Sequence, residues 1–259
     1  MNLKKRVCII TGSSRGIGKE IATRLARDGA TVIVTYNNNK SAADAFINDL
    51  KKISETFLLT HLDVTKRSSI EKMRDDVISK FGKIDVLVNN SGILKQSDFL
   101  EISDEEWDEI FSVNLKGLFK CCQILIPELL KNNNSRIINI SSFAGKYGGP
   151  KAPHYSASKA GVICLTKSLA RLYSSKGLLV NNVAPGVIST DMFKSSSSAG
   201  VNQDLKVNDQ QGGGIENDIL LGSTGEPSDI AGIVSYLASN DSRYVTGATF
   251  DVNGGLYLT

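Results

Sequence analysis

The sequence predicts an α/β protein in which helices cover both faces of one parallel sheet. Short apolar runs rich in β-branched residues recur along the chain, as expected for strands buried on both faces. The segments between them carry apolar residues at helical spacing and often end in glycine. This regular alternation of strand and helix is typical of a doubly wound sheet.

Seven runs are predicted strands, and two intervening segments illustrate the helices. The strands are Val7–Thr11, Thr31–Thr35, Leu58–Leu62, Val86–Asn89, Ile137–Ile140, Leu178–Ala184 and Thr249–Val252. The helical examples are Lys19–Ala30 and Ile70–Phe81. No repeat or linker divides the 259 residues, so we expect a single domain over residues 1–259.

The composition, with 41% hydrophobic and 22% charged residues, is that of an ordinary soluble protein. A formal net charge of +3, with the charges well mixed, argues against nucleic acid as the main partner. The N-terminal apolar stretch is too short for a signal peptide, and no apolar run approaches the ~20 residues that span a bilayer. We therefore expect a cytoplasmic protein with no membrane partner.

The four cysteines predict neither a metal site nor a disulfide. Cys8, Cys121, Cys122 and Cys164 form no CxxC pair and have no cluster of histidines nearby. Cys8 and Cys164 lie in apolar runs, which predicts that both are buried as small hydrophobic residues.

One polar stretch, Ser195–Gly214, interrupts the apolar pattern. Its low apolar content cannot support packed structure unaided, which predicts a mobile surface loop. Its position late in an α/β chain favours a flap over a ligand site, as part of a substrate lid spanning residues 193–223. The alternative is an insertion without a role.

A glycine-rich turn follows the first strand and opens the first helix. Between Thr11 and Gly18 it has the spacing GxxxGxG, formed by Gly12, Gly16 and Gly18. Glycines let the backbone approach a pyrophosphate, and the helix N-terminus offers N–H groups and a positive dipole. In this strand–turn–helix context the turn predicts a dinucleotide site in a Rossmann-type fold.

The expected dinucleotide is NADP(H). An NAD site usually has an acidic residue at the end of the second strand, about 20 residues after the glycines, to bind the ribose 2′-hydroxyl. Here Asn37–Asn39 follow that strand without an acid, and Arg15 in the glycine turn could bind a 2′-phosphate. The alternative for Arg15 is a solvated surface charge.

Tyr155 and Lys159 are a candidate catalytic pair. Their i, i+4 spacing puts both side chains on one face of a helix. Reduction of a carbonyl creates an alkoxide that needs a proton, and a neighbouring ammonium would lower the tyrosine pKa from its ordinary value of about 10. The spacing alone is common by chance.

Polar residues also follow other predicted strands, and they support a site at the edge of the sheet where the glycine turn lies. Asn139–Ser142 and Asn89–Gly92 each end a predicted strand, where open α/β sheets bind ligands. Asn114 is polar within the amphipathic segment Trp107–Leu130, where it either serves the site or hydrogen-bonds its own helix.

Together these segments resemble the short-chain dehydrogenase/reductase family, over nearly the whole chain and in the family's order. The matching motifs are TGSSRGIG at 11–18, Asp63-Val64, NNSG at 89–92, Asn114, ISS at 140–142, YSASK at 155–159, Pro185-Gly186 and DVNGG at 251–255. One departure is Ser91, where the family usually has alanine.

The resemblance implies four catalytic residues. Ser142 would orient the substrate carbonyl, and Tyr155 would donate the proton. Lys159 would lower the tyrosine pKa and bind the nicotinamide ribose, and Asn114 would hold a water behind Lys159. The implied cofactor-binding residues are Gly12, Ser14, Arg15, Gly16, Ile17, Gly18, Asn37, Asp63, Val64, Asn89, Ser91, Gly92, Tyr155, Lys159, Pro185, Gly186, Ile188 and Thr190.

Within the family, the chain is most similar to the bacterial 3-oxoacyl-[acyl-carrier-protein] reductases, in the stretches 104–107, 181–186, 190–192 and 254–257. This implies NADPH-dependent reduction of a carrier-bound 3-oxoacyl thioester in fatty-acid synthesis, by a homotetramer. The longer polar stretch after Phe193 and the segment Asn132–Asn134 depart from that group. The alternatives are a reductase or dehydrogenase of another ketone or alcohol, such as a sugar, steroid or xenobiotic, and an NADP(H)-binding regulator without catalysis.

Overall fold

The computed structural model describes residues 1–190 and 218–258, and the strands of these residues form one parallel sheet. The sheet order is β3-β2-β1-β4-β5-β6-β7. The strands are β1 Val7–Ile10, β2 Thr31–Tyr36, β3 Phe57–His61, β4 Val86–Asn89, β5 Ser135–Ile140, β6 Leu178–Pro185 and β7 Thr249–Val252. Every predicted strand is found within two residues of its predicted bounds.

Helices connect the strands. Those of the described residues are α1 Gly16–Arg27, α2 Lys40–Leu50, α3 Arg67–Phe81, α4 Asp104–Phe111, α5 Leu118–Leu129, α6 Ala144–Tyr147, α7 Pro153–Tyr173 and α8 Pro227–Ala238. A π-helical turn, Ser112–Gly117, joins α4 to α5. Short 3₁₀ turns lie at Phe99–Glu101, Ser174–Lys176 and Asn240–Ser242.

Alternate side chains of each central strand enter two separate apolar cores, one on each face of the sheet. On β1, Cys8 and Ile10 pack with α1, α2 and α8. Val7 and Ile9 pack on the other face with α3, α5 and α7. Burial on both faces explains why the strands are continuously apolar. The predicted doubly wound Rossmann-type sheet is confirmed.

The strand order reverses beside β1. The chain places β2 and β3 on one side of β1 and then returns to place β4 on the other side. The loops that follow β1 and β4 therefore diverge and leave a crevice at the carboxyl ends of the strands. Open α/β sheets bind ligands at such a crevice.

One expectation about burial is wrong. Cys8, Cys121 and Cys122 are buried as small hydrophobic residues, but Cys164 is exposed. The apolar run around it belongs to α7, in which Val162 and Ile163 take the inward positions and Cys164 faces outward. A short apolar run does not by itself tell which face of a helix each of its members occupies.

By length and composition, one helical run among the described residues, Asp104–Leu129, could cross a membrane. Half of its most apolar part is buried inside the protein, as in a core helix, so it is weak evidence for a span. The predicted loop Ser195–Gly214 and most of the 193–223 lid lie outside the described residues.

Candidate active site

A cavity of about 500 Å³ opens at the carboxyl ends of the central strands, and its volume is typical of a small-molecule site. The strand order divides its walls into two parts. We call residues 12–18, 37–39 and 62–65, which follow β1, β2 and β3, the cofactor half. Residues 93–96 and 142–156, which follow β4 and β5, are the substrate half, and residues 185–190, at the end of β6 and beyond it, complete the wall as the part predicted to contact the nicotinamide.

The glycine turn of the cofactor half has no room for a side chain at its centre. A Cβ on Gly18 would lie 2.4 Å from the carbonyl oxygen of Gly12 and 2.5 Å from Nδ2 of Asn90. Gly12 itself has a φ of +66°, in the left-handed region that favours glycine. The turn therefore folds back closely on the next strand's loop and leaves its backbone facing the cavity.

Two side chains hold this turn in place. The Asn90 amide donates hydrogen bonds to the carbonyls of Thr11 and Gly12, at 2.9 and 3.0 Å. The Thr11 hydroxyl accepts from the backbone N–H groups of Asn90 and Ser91, both at 2.9 Å. Helix α1 then begins without a side-chain cap and without an acidic residue in its first turn. A free helix N-terminus next to a close-approaching backbone fits a pyrophosphate.

The far end of the cofactor half carries amides and one arginine rather than an acid. Asn37, Asn38 and Asn39 line the cavity after β2, and Arg15 lines it from the glycine turn with an exposed side chain. Asn39 also caps α2 by accepting from the Ala42 N–H at 2.9 Å. The absence of a carboxylate at this strand end fits a cofactor with a phosphorylated ribose better than a ribose diol.

Asp63 and Val64 form the wall after β3, where the adenine is expected. Burial alone would raise the pKa of Asp63, but hydrogen bonds from Thr65 and the Lys66 ammonium together hold the pKa below its ordinary value. Asp63 is therefore an anion near neutral pH, and its oxygen also accepts from the Thr65 N–H at 2.9 Å.

Ser142 and Tyr155 meet in the substrate half. Both line the cavity, and the Ser142 hydroxyl is close enough to the phenol to favour its ionised form. Ser142 also fixes its own loop, because its oxygen accepts from the Ala144 N–H at 3.1 Å. Two neighbouring hydroxyl groups at a cavity wall can both donate to a single carbonyl oxygen.

Lys159 lies behind this pair and is almost fully buried, with 4% of its surface exposed. Its ammonium donates to the Ile140 carbonyl at 3.0 Å and lies 5.6 Å from the centroid of the Tyr155 ring. Burial lowers the pKa of Lys159 to about 8. The i, i+4 spacing thus does place the lysine beside the tyrosine on one face of α7.

The predicted lowering of the tyrosine pKa is not found in this structure. Burial raises the pKa of Tyr155, and only the neighbouring Ser142 hydroxyl opposes this rise. Lys159 makes no such contribution here, because its ammonium is directed to the Ile140 carbonyl rather than to the phenol oxygen.

Asn114 occupies the π-helical turn and does not itself line the cavity. Its oxygen accepts from the Ile93 N–H at 2.8 Å, and its nitrogen donates to the Ile93 carbonyl at 3.0 Å and the Ser158 hydroxyl at 3.2 Å. π-Helical turns of this kind occur often at functional sites. A Cβ on Gly92 would lie 3.3 Å from both Asn114 Oδ1 and Lys159 Nζ, so the three residues lie close together.

The structure does not bring Asn89 to the cavity, so its assignment as a ribose contact needs correction. The Asn89 side chain is buried inside the sheet and donates to Asn139 Oδ1 at 2.9 Å. Because side chains alternate along a strand, the next residue, Asn90, faces the cavity instead. The other predicted cofactor residues at the cavity wall are Gly12, Ser14, Arg15, Gly16, Ile17, Gly18, Asn37, Asp63, Val64, Ser91, Gly92, Tyr155, Lys159, Pro185, Gly186, Ile188 and Thr190.

One cluster beside the site has no counterpart in the sequence prediction. The Ser97 hydroxyl donates to Oε1 of Glu106, and Nε2 of the fully buried His154 lies 3.1 Å from the same oxygen. Neither ring nitrogen of His154 has a hydrogen-bond partner among the described residues. The cluster joins the loop after β4 to α4 and to the start of α7, next to Tyr155. The only sequence signal for it was the position of His154 directly before the tyrosine.

The fold and the cavity together define a nucleotide-binding enzyme of the doubly wound α/β class, with a hydroxyl pair and a buried lysine at the reacting end. Residues 6–200 match the family described as short chain dehydrogenase. The chain belongs to this family, and it is an oxidoreductase that uses a nicotinamide cofactor.

Relatives of known name resemble the chain over its full length. It is 41% identical to the 3-oxoacyl-[acyl-carrier-protein] reductase FabG of Staphylococcus epidermidis, covering 96% of this chain and 98% of the relative. It is 37% identical to the protein of the same name from Thermotoga maritima, covering both chains completely. A crystal structure of a dehydrogenase/reductase from Sinorhizobium meliloti superimposes with a TM-score of 0.88 at 32% identity, over 99% of this chain and 97% of that one.

Proposed function

We propose that the protein reduces a 3-oxoacyl thioester bound to acyl carrier protein to the 3-hydroxyacyl thioester, with NADPH, in fatty-acid synthesis. The observation that carries the proposal is the Ser142–Tyr155 hydroxyl pair in the substrate half of the cavity, with Lys159 buried behind it. The names of the full-length relatives support the choice of substrate. On the same grounds we propose a cytoplasmic homotetramer.

The catalytic roles follow from the positions of the hydroxyl groups. When bound, the nicotinamide supplies the hydride that reduces the ketone carbon. Ser142 donates a hydrogen bond to the ketone oxygen and holds the carbonyl in place. Tyr155, whose raised pKa keeps it protonated, transfers its phenolic proton to the alkoxide oxygen. Lys159 then stabilises the phenolate that remains, and Asn114 holds the loop and helix beside it.

NADPH is the proposed form of the cofactor because the cofactor half offers a cation and no acid at the ribose end. Arg15 would form a charge-assisted hydrogen bond with the 2′-phosphate, and Asn37 would contact the same ribose. The Gly12–Gly18 turn would hold the pyrophosphate, and Asp63 with Val64 the adenine. Ile188 and Thr190 would contact the nicotinamide carboxamide.

An initial-rate assay with an acetoacetyl thioester tests the proposed function. We expect rapid oxidation of NADPH and at least tenfold slower oxidation of NADH at equal concentration. A rate only with a sugar, steroid or other ketone would move the assignment to a different carbonyl reductase. Tight NADPH binding without turnover of any carbonyl would indicate a regulator instead.

Replacing the proton donor tests the mechanism. We expect Tyr155→Phe to lower kcat by about 10²- to 10⁴-fold and to leave the Kd for NADPH nearly unchanged, because the pocket keeps its shape. Tyr173→Phe, at the opposite end of the same helix, is the matched control and should retain full activity. Turnover by Tyr155→Phe close to that of the wild type would disprove the assigned role.

A further inference from the structure

The Ser91 hydroxyl is an unused hydrogen-bonding group at the wall of the cavity. Ser91 lines the cavity and is half-buried, so a ligand in the cavity can reach its side chain. Its backbone N–H donates to the Thr11 hydroxyl at 2.9 Å, but its own hydroxyl forms no hydrogen bond with the residues that the structure describes. That hydroxyl is also accessible, unlike the unpartnered Oδ1 of Asn89, which is enclosed. It is therefore available to a ligand.

The hydroxyl lies directly beside the start of the glycine turn. A Cβ on Gly12 would come within 3.0 Å of Ser91 Oγ and within 3.2 Å of Ser91 Cα. Gly12 is the first glycine of the turn that leads into the uncapped N-terminus of α1, the part of the cavity that fits a pyrophosphate. The absence of a side chain at Gly12 therefore leaves space in front of the serine hydroxyl.

On its other side, Ser91 adjoins the reacting end of the cavity. A Cβ on the next residue, Gly92, would lie 3.3 Å from Nζ of Lys159. Ser91 and Gly92 thus line the cavity between the cofactor half and the substrate half. A dinucleotide with its adenine beside Asp63 and its reactive ring near Lys159 must pass these residues with its sugar–phosphate chain. The hydroxyl therefore faces the middle of the cofactor rather than the ketone.

The chemistry of this middle part suits a hydroxyl group. It consists of two riboses and a pyrophosphate, so every polar group that it presents is an oxygen. A serine hydroxyl can donate to a phosphate oxygen, and it can donate to or accept from a ribose hydroxyl. We propose that the Ser91 hydroxyl hydrogen-bonds the sugar–phosphate chain of the cofactor and raises cofactor affinity; this rests on the proposed use of NADPH. The family usually has alanine here, so the contact is a property of this chain.

Binding of the two reduced cofactors to Ser91→Ala tests the proposal. NADPH and NADH share the sugar–phosphate chain, so we expect both Kd values, measured by fluorescence titration without substrate, to rise by the same factor of about five. The Tm of the cofactor-free protein should not change, because the hydroxyl has no partner among the described residues. Ser68→Ala, an exposed serine of α3 outside the cavity wall, is the matched control and should change neither Kd.

Adenosine 2′,5′-bisphosphate shows which part of the chain is bound, because it lacks the second phosphate and the nicotinamide ribose. Weaker binding of this fragment to Ser91→Ala would place the contact on the adenosine side, and a loss confined to the dinucleotides would place it on the nicotinamide side. Unchanged Kd values for both cofactors would overturn the proposal, and so would a loss restricted to NADPH. Failure of the wild type to bind either cofactor would overturn the proposed function instead.

Discussion

The two halves of the cavity are built in different ways. In the cofactor half the backbone makes the surface: glycines approach closely, and the Asn90 amide and Thr11 hydroxyl hold the carbonyls and N–H groups of the turn. In the substrate half, side chains from segments far apart in the sequence form the surface. The contacts that Glu106 makes with Ser97 and His154 are an example. A phosphate can be bound by backbone groups alone, whereas recognition of a particular ketone requires particular side chains.

The largest effect on cofactor binding is expected where the backbone of the cofactor half is crowded. Gly18→Ala puts a Cβ within 2.5 Å of both a Gly12 backbone atom and the Asn90 amide. The turn must shift to relieve this overlap, which costs about 3 kcal/mol. We expect the Kd for NADPH, measured by fluorescence titration, to rise about a hundredfold.

Gly232→Ala is the matched control for that variant because it also adds a methyl group inside a helix. The nearest atom to its Cβ is the end of the Arg24 side chain, 4.0 Å away, so there is no overlap. We expect Gly232→Ala to stabilise the fold by about 0.5–1 kcal/mol and to leave NADPH binding unchanged. Normal cofactor affinity in Gly18→Ala would show that the close approach is not needed.

A smaller effect, restricted to one cofactor, is expected at the ribose end of the same half. Arg15→Ala removes the only cation proposed for the 2′-phosphate, and we expect the Kd for NADPH to rise about tenfold while that for NADH changes little. Lys19→Ala, on the same helix but outside the cavity wall, is the control and should affect neither cofactor. Equal weakening of NADPH and NADH binding by Arg15→Ala would mean that Arg15 does not recognise the 2′-phosphate.

The same contrast explains what the sequence predicts and what it leaves out. Three features follow from local patterns in the sequence. Continuously apolar runs predict the sheet, the glycine spacing predicts the turn, and the i, i+4 spacing predicts that Lys159 lies beside Tyr155. Packing against other elements decides which face of α7 carries Cys164. It also decides to which side of the sheet Asn89 points at the end of β4. The direction of the Tyr155 pKa depends on burial, which no local pattern reports.

The side-chain construction of the substrate half is tested at Glu106. Glu106→Ala removes the acceptor of the Ser97 hydroxyl and leaves the buried His154 beside a gap. We expect kcat for the ketone to fall about fivefold, a change of about 1 kcal/mol, because the start of the Tyr155 helix loses its tie to α4. Cofactor binding should not change, and this difference separates a local effect from general destabilisation.

Two further variants complete the Glu106 experiment. Glu106→Gln keeps the side-chain oxygen and should restore most of the lost kcat. Asp108→Ala removes an exposed acid of the same helix and should have no effect. A loss of cofactor affinity in Glu106→Ala as large as its loss of kcat would contradict a role confined to the substrate half.

The effect that is smallest near neutral pH concerns Lys159, which lies where the two halves meet. Burial lowers its pKa to about 8, so the free enzyme loses this positive charge as the pH rises through that value. Tyr155, whose pKa is raised, and the buried thiols of Cys8 and Cys122, whose pKa values are about 12, stay protonated in this range. If the ammonium is needed, kcat/KM for NADPH should fall by about half between pH 7 and pH 8, by about fivefold from pH 8 to pH 9, and by about tenfold per unit above pH 9. The guanidinium of Lys159→Arg stays charged, so in this variant the decline should disappear even if the absolute rate is lower. A wild-type profile that is flat up to pH 9.5 would show that the lysine charge is not required.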